Sequence, residues 1–162
     1  MITSASNPKL RLVHRLLESR RQREKEGLFV VEGEDLVQAA EDAGIEPVEL
    51  LRADEDVEPE LLAKVSTMGH PPRVLGIYRR NALPRGVEPV SLALWHVADP
   101  GNLGTILRTA DAFGASVAVS PGCADPTGPK AVRASAGALF RVPLADFDEP
   151  GGTRVALVSH DG

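Results

Sequence analysis

Apolar residues recur at Leu10, Val13 and Leu17, with Leu16 widening the stripe, so residues 8–25 read as one amphipathic helix. Asn7-Pro8 opens it, a capping residue before proline at the first helical position. Gly27 ends it. Leu28-Phe29-Val30-Val31 is short, apolar and β-branched, the pattern of a buried strand. Glu32-Gly33-Glu34-Asp35 then puts acids where the dipole of a new helix favours them, and that helix runs to Ala43 and stops at Gly44. A strand near 46–51, a helix near 59–66 and a strand near 74–79 continue the alternation, which predicts a small α/β layer.

Residues 81–90 break the rhythm with two prolines and a glycine and read as a linker between two lobes. Beyond it the pattern predicts a strand over 91–98, a helix over 102–113 closed by Gly114, and a strand over 116–120. A loop with three prolines leads to a short helix near 129–136, then strands over 139–143 and 154–159. The second lobe is expected to be an incomplete α/β domain, since the chain stops directly after its last strand and ligands of open α/β sheets bind beyond the carboxyl ends of strands.

The 162 residues are 43% hydrophobic and 25% charged, an ordinary globular composition that excludes a disordered tail. Aromatics make up only 4%, so the core is expected to be aliphatic. One cysteine, Cys123, excludes a disulfide framework and any multi-cysteine zinc site. With no apolar run of membrane-spanning length and no signal-peptide pattern at the N-terminus, the expected location is the cytoplasm. The net charge of −5 is unevenly spread: residues 1–26 hold seven bases against three acids, and Arg73, Arg79, Arg80 and Arg85 follow with no acid between them. Two basic segments on an acidic body are compatible with docking a polyanion, although such runs usually mean no more than solvated surface charge.

Two segments carry candidate chemistry. In Asp99-Pro100-Gly101-Asn102-Leu103-Gly104-Thr105-Ile106-Leu107-Arg108-Thr109-Ala110, the residues Leu103, Leu107 and Ala110 pack toward a sheet. Gly104 costs helix stability, so its place one turn from Arg108 implies close approach of another backbone or a substrate. Asn102 could simply be a helix cap, and Arg108 could pair with Asp111. In the second segment a Pro/Gly loop leads into a helix bearing Lys130 and Arg133 on one face, followed by a run of small residues, Ala134 to Ala138. Cys123, in that loop, reads as structural, and His14, His70, His96 and His160 are scattered without metal-ligand spacing.

The motifs Asn102-x-Gly104-x-x-x-Arg108-Thr109-Ala110 and Lys130-x-x-Arg133-Ala134-Ser135-x-Gly137-Ala138 resemble the SpoU (TrmH-type) branch of the SPOUT RNA methyltransferases. The Asn7-Pro8 helix start, the basic helix and Phe29-Val30-Val31-Glu32-Gly33 resemble that family's small substrate-binding domain. The resemblance implies an RNA-binding lobe over 1–80, a linker over 81–90 and the N-terminal part of a catalytic domain over 91–162. The family's two later motifs, which build the cofactor pocket and a trefoil knot, have no counterpart in the sequence, so the knot region is expected to be absent.

By this resemblance the full-length protein would transfer a methyl group from S-adenosylmethionine to a ribose 2′-hydroxyl of RNA, ribosomal RNA in preference to tRNA, as a homodimer. Arg108 would stabilise the developing alkoxide and hold the adjacent phosphate, with Asn102 orienting Arg108 or the substrate. Asn7, Arg15, Arg20, Arg21, Arg23, Lys130 and Arg133 would contact RNA. Strand-end geometry rather than a motif puts Val158, Ser159 and His160 where the adenosyl group would touch. No metal and no membrane partner are implied, and the chain alone is expected to be inactive. A non-catalytic RNA-binding module is the competing reading. A small-molecule α/β enzyme lacks a phosphate loop or nucleophile elbow to support it.

Overall fold

The computed structural model describes residues 1–158. The first helix of the sequence pattern is two: α1, Pro8–Glu18, and α2, Arg20–Glu26. Ser19 divides them, with an extended backbone (φ −127°, ψ 114°) and a hydroxyl that accepts from the Gln22 N–H at 3.2 Å. The apolar stripe stops at Leu17, so nothing in 20–26 would hold a straight continuation against the core. After the break, α2 buries one residue, Arg23.

Strands β1 (Leu28–Glu32), β2 (Glu49–Arg52) and β3 (Val74–Arg79) form an antiparallel sheet in the order β1-β3-β2. Helices α3 (Glu34–Asp42) and α4 (Pro59–Val65) connect them. Val30, Leu51, Leu75 and Ile77 pack against Leu10, Val13 and Leu16 of α1 and Leu61 and Leu62 of α4. On the other face Phe29 lies directly opposite Tyr78, with ring centroids 5.9 Å apart. Gly76 makes room for that ring, since a Cβ there would overlap the Tyr78 side chain.

The second sheet is parallel, β4 (Ser91–Leu94), β5 (Ser116–Val119) and β6 (Leu144–Asp146) in the order β4-β5-β6. Helix α5 (Pro100–Phe113) packs closely on α6 (Pro129–Ser135). The strand expected over 139–143 is instead a 3₁₀ turn, Ala138–Phe140, and β6 begins at Leu144. Ala136 and Gly137 both have positive φ, and Ala138, Leu139 and Phe140 are all buried, so the segment is a core-filling turn without strand alternation. The strand expected over 154–159 does not form through Val158: this stretch is irregular and exposed, and no neighbouring strand pairs with it among the described residues.

The segment read as a linker is fastened to the second sheet. Leu83 is buried, the Leu144 N–H donates to the Pro84 carbonyl at 3.0 Å, and the Gly86 N–H donates to the Leu144 carbonyl at 3.1 Å. The two sheets remain separate but share one core, in which Phe29, Val31, Ala40 and Tyr78 meet Leu103, Leu107, Ala131, Val132, Leu139 and Phe140. No helix among the described residues is long and apolar enough to cross a membrane.

Candidate nucleic-acid interface

The basic residues of the N-terminal region divide into two sets. Arg23 is 6% exposed: its Nε donates to Asp125 Oδ2 at 2.9 Å and its Nη1 to the Leu16 carbonyl at 2.8 Å. Arg80 joins the same carboxylate, Nη2 to Oδ1 at 3.3 Å, and Arg20 Nη1 donates to the Cys123 carbonyl at 2.7 Å. Burial alone would raise the Asp125 carboxyl, but the Thr127 backbone N–H, Arg23, the Thr127 hydroxyl and the Arg80 charge outweigh it, so its pKa lies below the ordinary value. Arg23 is therefore an interlobe anchor and not an RNA contact, and Arg20 is half committed to the same joint. Cys123 is buried here as a structural residue.

The second motif supplies another tie. Arg133 Nη1 donates to Glu32 Oε2 at 2.9 Å and to Thr67 Oγ1 at 2.6 Å, so this half-buried guanidinium bridges α6 to the first sheet through one of its nitrogens. Asn7 caps α1, its Oδ1 accepting from the Lys9 N–H at 2.9 Å. By contrast Arg11, Arg15, Arg21, Lys25, Lys64 and Lys130 are exposed and make no side-chain hydrogen bond or ion pair among the described residues.

On α5 the cap is Asp99, whose Oδ1 accepts from the Asn102 N–H at 2.8 Å, leaving the exposed Asn102 side chain out of the capping role. Arg108 is exposed and unpaired among the described residues, because Asp111 is held by Arg141 at 2.7 Å. Six residues of helix set Asn102 and Arg108 roughly 9 Å apart along the axis and about 120° apart around it, too far for a direct hydrogen bond. Gly104 is buried against α6, where a Cβ would overlap Ala134 and lie 2.8 Å from the Ser135 nitrogen. The close approach implied by that glycine is thus made by a helix backbone.

Sequence reasoning missed Asp125, Glu32 and Thr67, the acceptors of the interlobe ties, since nothing in their spacing pairs them with distant arginines. It also missed the crest of the parallel sheet, where Trp95, 63% exposed, stacks on His96 with centroids 4.3 Å apart and lies 5.2 Å from Phe147. The position of the single tryptophan at a strand end was the available signal. Of the expected cofactor contacts, Val158 is 83% exposed and off the sheet, and Ser159 and His160 lie outside the described residues. No group of three or more metal-ligating side chains converges among the described residues.

Residues 89–158 match the SpoU rRNA Methylase family, and residues 7–71 match the MRM3-like substrate binding domain. The 23S rRNA (guanosine(2553)-2'-O)-methyltransferase RlmP of Bacillus subtilis is 30% identical over 92% of this chain. The mitochondrial rRNA methyltransferase 3 of Homo sapiens is 33% identical over 84% of it. The AdoMet-bound rRNA methyltransferase from Sinorhizobium meliloti superposes over 90% of the chain with a TM-score of 0.77 at 28% identity. The chain spans 66%, 39% and 63% of these proteins' lengths, respectively. With both lobes matched in order, the chain belongs to the SpoU (TrmH-type) family of SPOUT RNA methyltransferases.

Proposed function

We propose that this protein methylates a ribose 2′-hydroxyl of ribosomal RNA with S-adenosylmethionine as donor. The observation that carries the reading is Arg108, an exposed guanidinium with no partner among the described residues, on the motif helix α5. The relative named as a 23S rRNA 2'-O-methyltransferase and the relative crystallised with AdoMet support it. The donor supplies an electrophilic methyl group when bound. The guanidinium group carries a fixed positive charge, so the role open to Arg108 is electrostatic rather than that of a base. Its planar fork holds the phosphate beside the target ribose and stabilises negative charge on the 2′-oxygen as its proton passes to solvent water. Asn102, too distant to orient Arg108, contacts a different part of the substrate. The exposed cations of α1 and α2 hold RNA phosphates, which give affinity without reading sequence.

The spare cations of α1 and α2 by themselves support a second reading, an RNA-docking module. Within the leading reading the protein is a cytoplasmic homodimer, and Phe113, 80% exposed at the end of α5, supplies an apolar contact for the second copy. Transfer of tritium from labelled S-adenosylmethionine to ribosomal RNA, by the protein as its gene encodes it, tests the leading reading. Label on the 2′-oxygen is expected. RNA binding with neither transfer nor calorimetric binding of the donor would leave the docking module.

A further inference from the structure

A cavity of about 460 Å³ opens between α1 and α4, lined by Ala5, Leu10, Leu61 and Val65 below and by Arg11, His14, Arg15 and Lys64 above. Its floor is apolar and its rim basic. Among the described residues no carboxylate lines it, although the chain as a whole is rich in acids. Leu10 and Leu61 are 4% and 8% exposed, so the floor is anchored in the core of the first lobe. His14 is the one rim residue with a partner, Glu18 at 3.2 Å.

The arginine and lysine side chains of the rim are spare. Arg20, Arg23, Arg80, Arg133 and Arg141 are each tied to an acceptor in the fold, whereas Arg11, Arg15 and Lys64 have none among the described residues. Arg11 and Arg15 are four residues apart on α1, so like charges sit one turn from each other. That repulsion brings the fold no contact in return. An anion held between them would relieve it.

We propose that this groove is a subsite for one unpaired RNA nucleotide, its base on Leu10, Leu61 and Val65 and its flanking phosphates on Arg11, Arg15 and Lys64. The subsite rests on the reading of this protein as an RNA-binding one and deepens it. RNA-binding proteins favour single-stranded loops and bulges, whose unstacked bases can leave the helix and bury a face. A flat ring fits the apolar floor, and a guanidinium plane beside it can stack on the base while its edge meets a phosphate. Among the described residues the imidazole of His14 is the groove's one aromatic ring, so burial and stacking on guanidinium and imidazole planes carry the recognition and little base identity is read.

The test uses the full chain with a fluorescein-labelled 12-mer oligouridylate and the same 12-mer lacking bases at its four central positions. Wild type is expected to bind the base-bearing RNA about tenfold more tightly than the abasic one. Lys64→Glu and Arg11→Glu, both at exposed positions, should each weaken binding about tenfold and lower the salt slope by about 0.7 for each phosphate no longer neutralised. Photocrosslinking with 4-thiouridine in the same 12-mer should label peptides containing residues 5–15 and 61–65. Equal affinity for the two RNAs, or crosslinks confined to other segments, would overturn the groove while leaving the RNA reading standing. Absence of RNA binding by wild type at low salt would overturn the RNA reading itself. Lys64-dependent sedimentation with phosphatidylserine vesicles, with RNA binding unchanged by Lys64→Glu, would assign the groove to a membrane surface instead.

Discussion

Arg23 Nε lies 2.9 Å from Asp125 Oδ2, and the two side chains, 7% and 3% exposed, join the first helical pair to the loop before α6. The pair spans 102 residues of sequence and works beside the shared apolar core, so each lobe fixes the orientation of the other. Breaking a buried pair by removing one partner leaves the other charge uncompensated, a cost of about 3–5 kcal/mol. Arg23→Ala should therefore lower the melting temperature by roughly 6–20 °C for a chain of this size. A shift of only a degree or two in a calorimetric scan would remove the pair from the list of anchors.

The same carboxylate sets a pH dependence. Its folded pKa is depressed, so its contribution to stability is complete above its unfolded pKa of about 3.9 and fades as pH falls through the lower folded value. The melting-temperature gap between wild type and Asp125→Asn should be constant above about pH 5 and narrow below about pH 4, as wild type itself becomes protonated. A gap that widens in acid would contradict this sign.

Gly104 offers a case in which local preference and packing oppose each other. Alanine is favoured over glycine inside a helix by about 1 kcal/mol. Here, however, a Cβ would overlap Ala134 and crowd the Ser135 nitrogen at 2.8 Å, and overpacking of this kind costs about 1–3 kcal/mol. Gly104→Ala is expected to destabilise, and Gly104→Val to do so more strongly. Urea denaturation of the two variants measures both, and a more stable alanine variant would show that α6 can shift aside.

The sequence pattern revealed the α/β class, the parallel second sheet and the Gly104 close approach because each leaves a local signature. Hydrophobic period, capping residues and a misplaced glycine are all readable within one turn or strand. Which arginines remain free is not local. Arg15 and Arg23 look alike in the sequence, and only tertiary folding brings Asp125 to one of them. The same limit hid the Glu32–Arg133 tie and left Asp111 open as a partner for Arg108, when Arg141 holds it. Residues 154–158 show the converse: they were expected within a strand, but a strand needs a neighbour to complete its hydrogen bonds, and none pairs with them among the described residues.

Arg21 and Lys25 separate RNA docking from interlobe anchoring. Both are exposed on α2 and free of partners among the described residues, whereas Arg23 between them is buried. Arg21→Glu with Lys25→Glu should weaken RNA binding and reduce the salt slope by roughly 0.7–0.9 per phosphate released, with melting unchanged. Arg23→Glu should instead lower melting first. Fluorescence anisotropy across a salt series reads the slope, and an unchanged slope in the double variant would move the docking face away from α2.

Arg108 carries the sharpest prediction, because its exposure makes structure and chemistry separable. With no partner among the described residues, its removal costs the fold little, and Arg108→Ala should melt within about 1–2 °C of wild type. If its guanidinium stabilises charge on the 2′-oxygen, the same variant should lose about a hundredfold or more in turnover, the scale of one oxyanion-stabilising donor. RNA affinity should change far less, since the contact tightens mainly in the transition state. Arg108→Lys should rescue poorly, because an ammonium cannot reproduce the planar fork. Single-turnover methylation by the protein as its gene encodes it, with saturating RNA and donor, measures the chemical step directly. A rate for Arg108→Ala within threefold of wild type would reduce Arg108 to a surface cation and shift the catalytic assignment to another residue of α5 or of the crest.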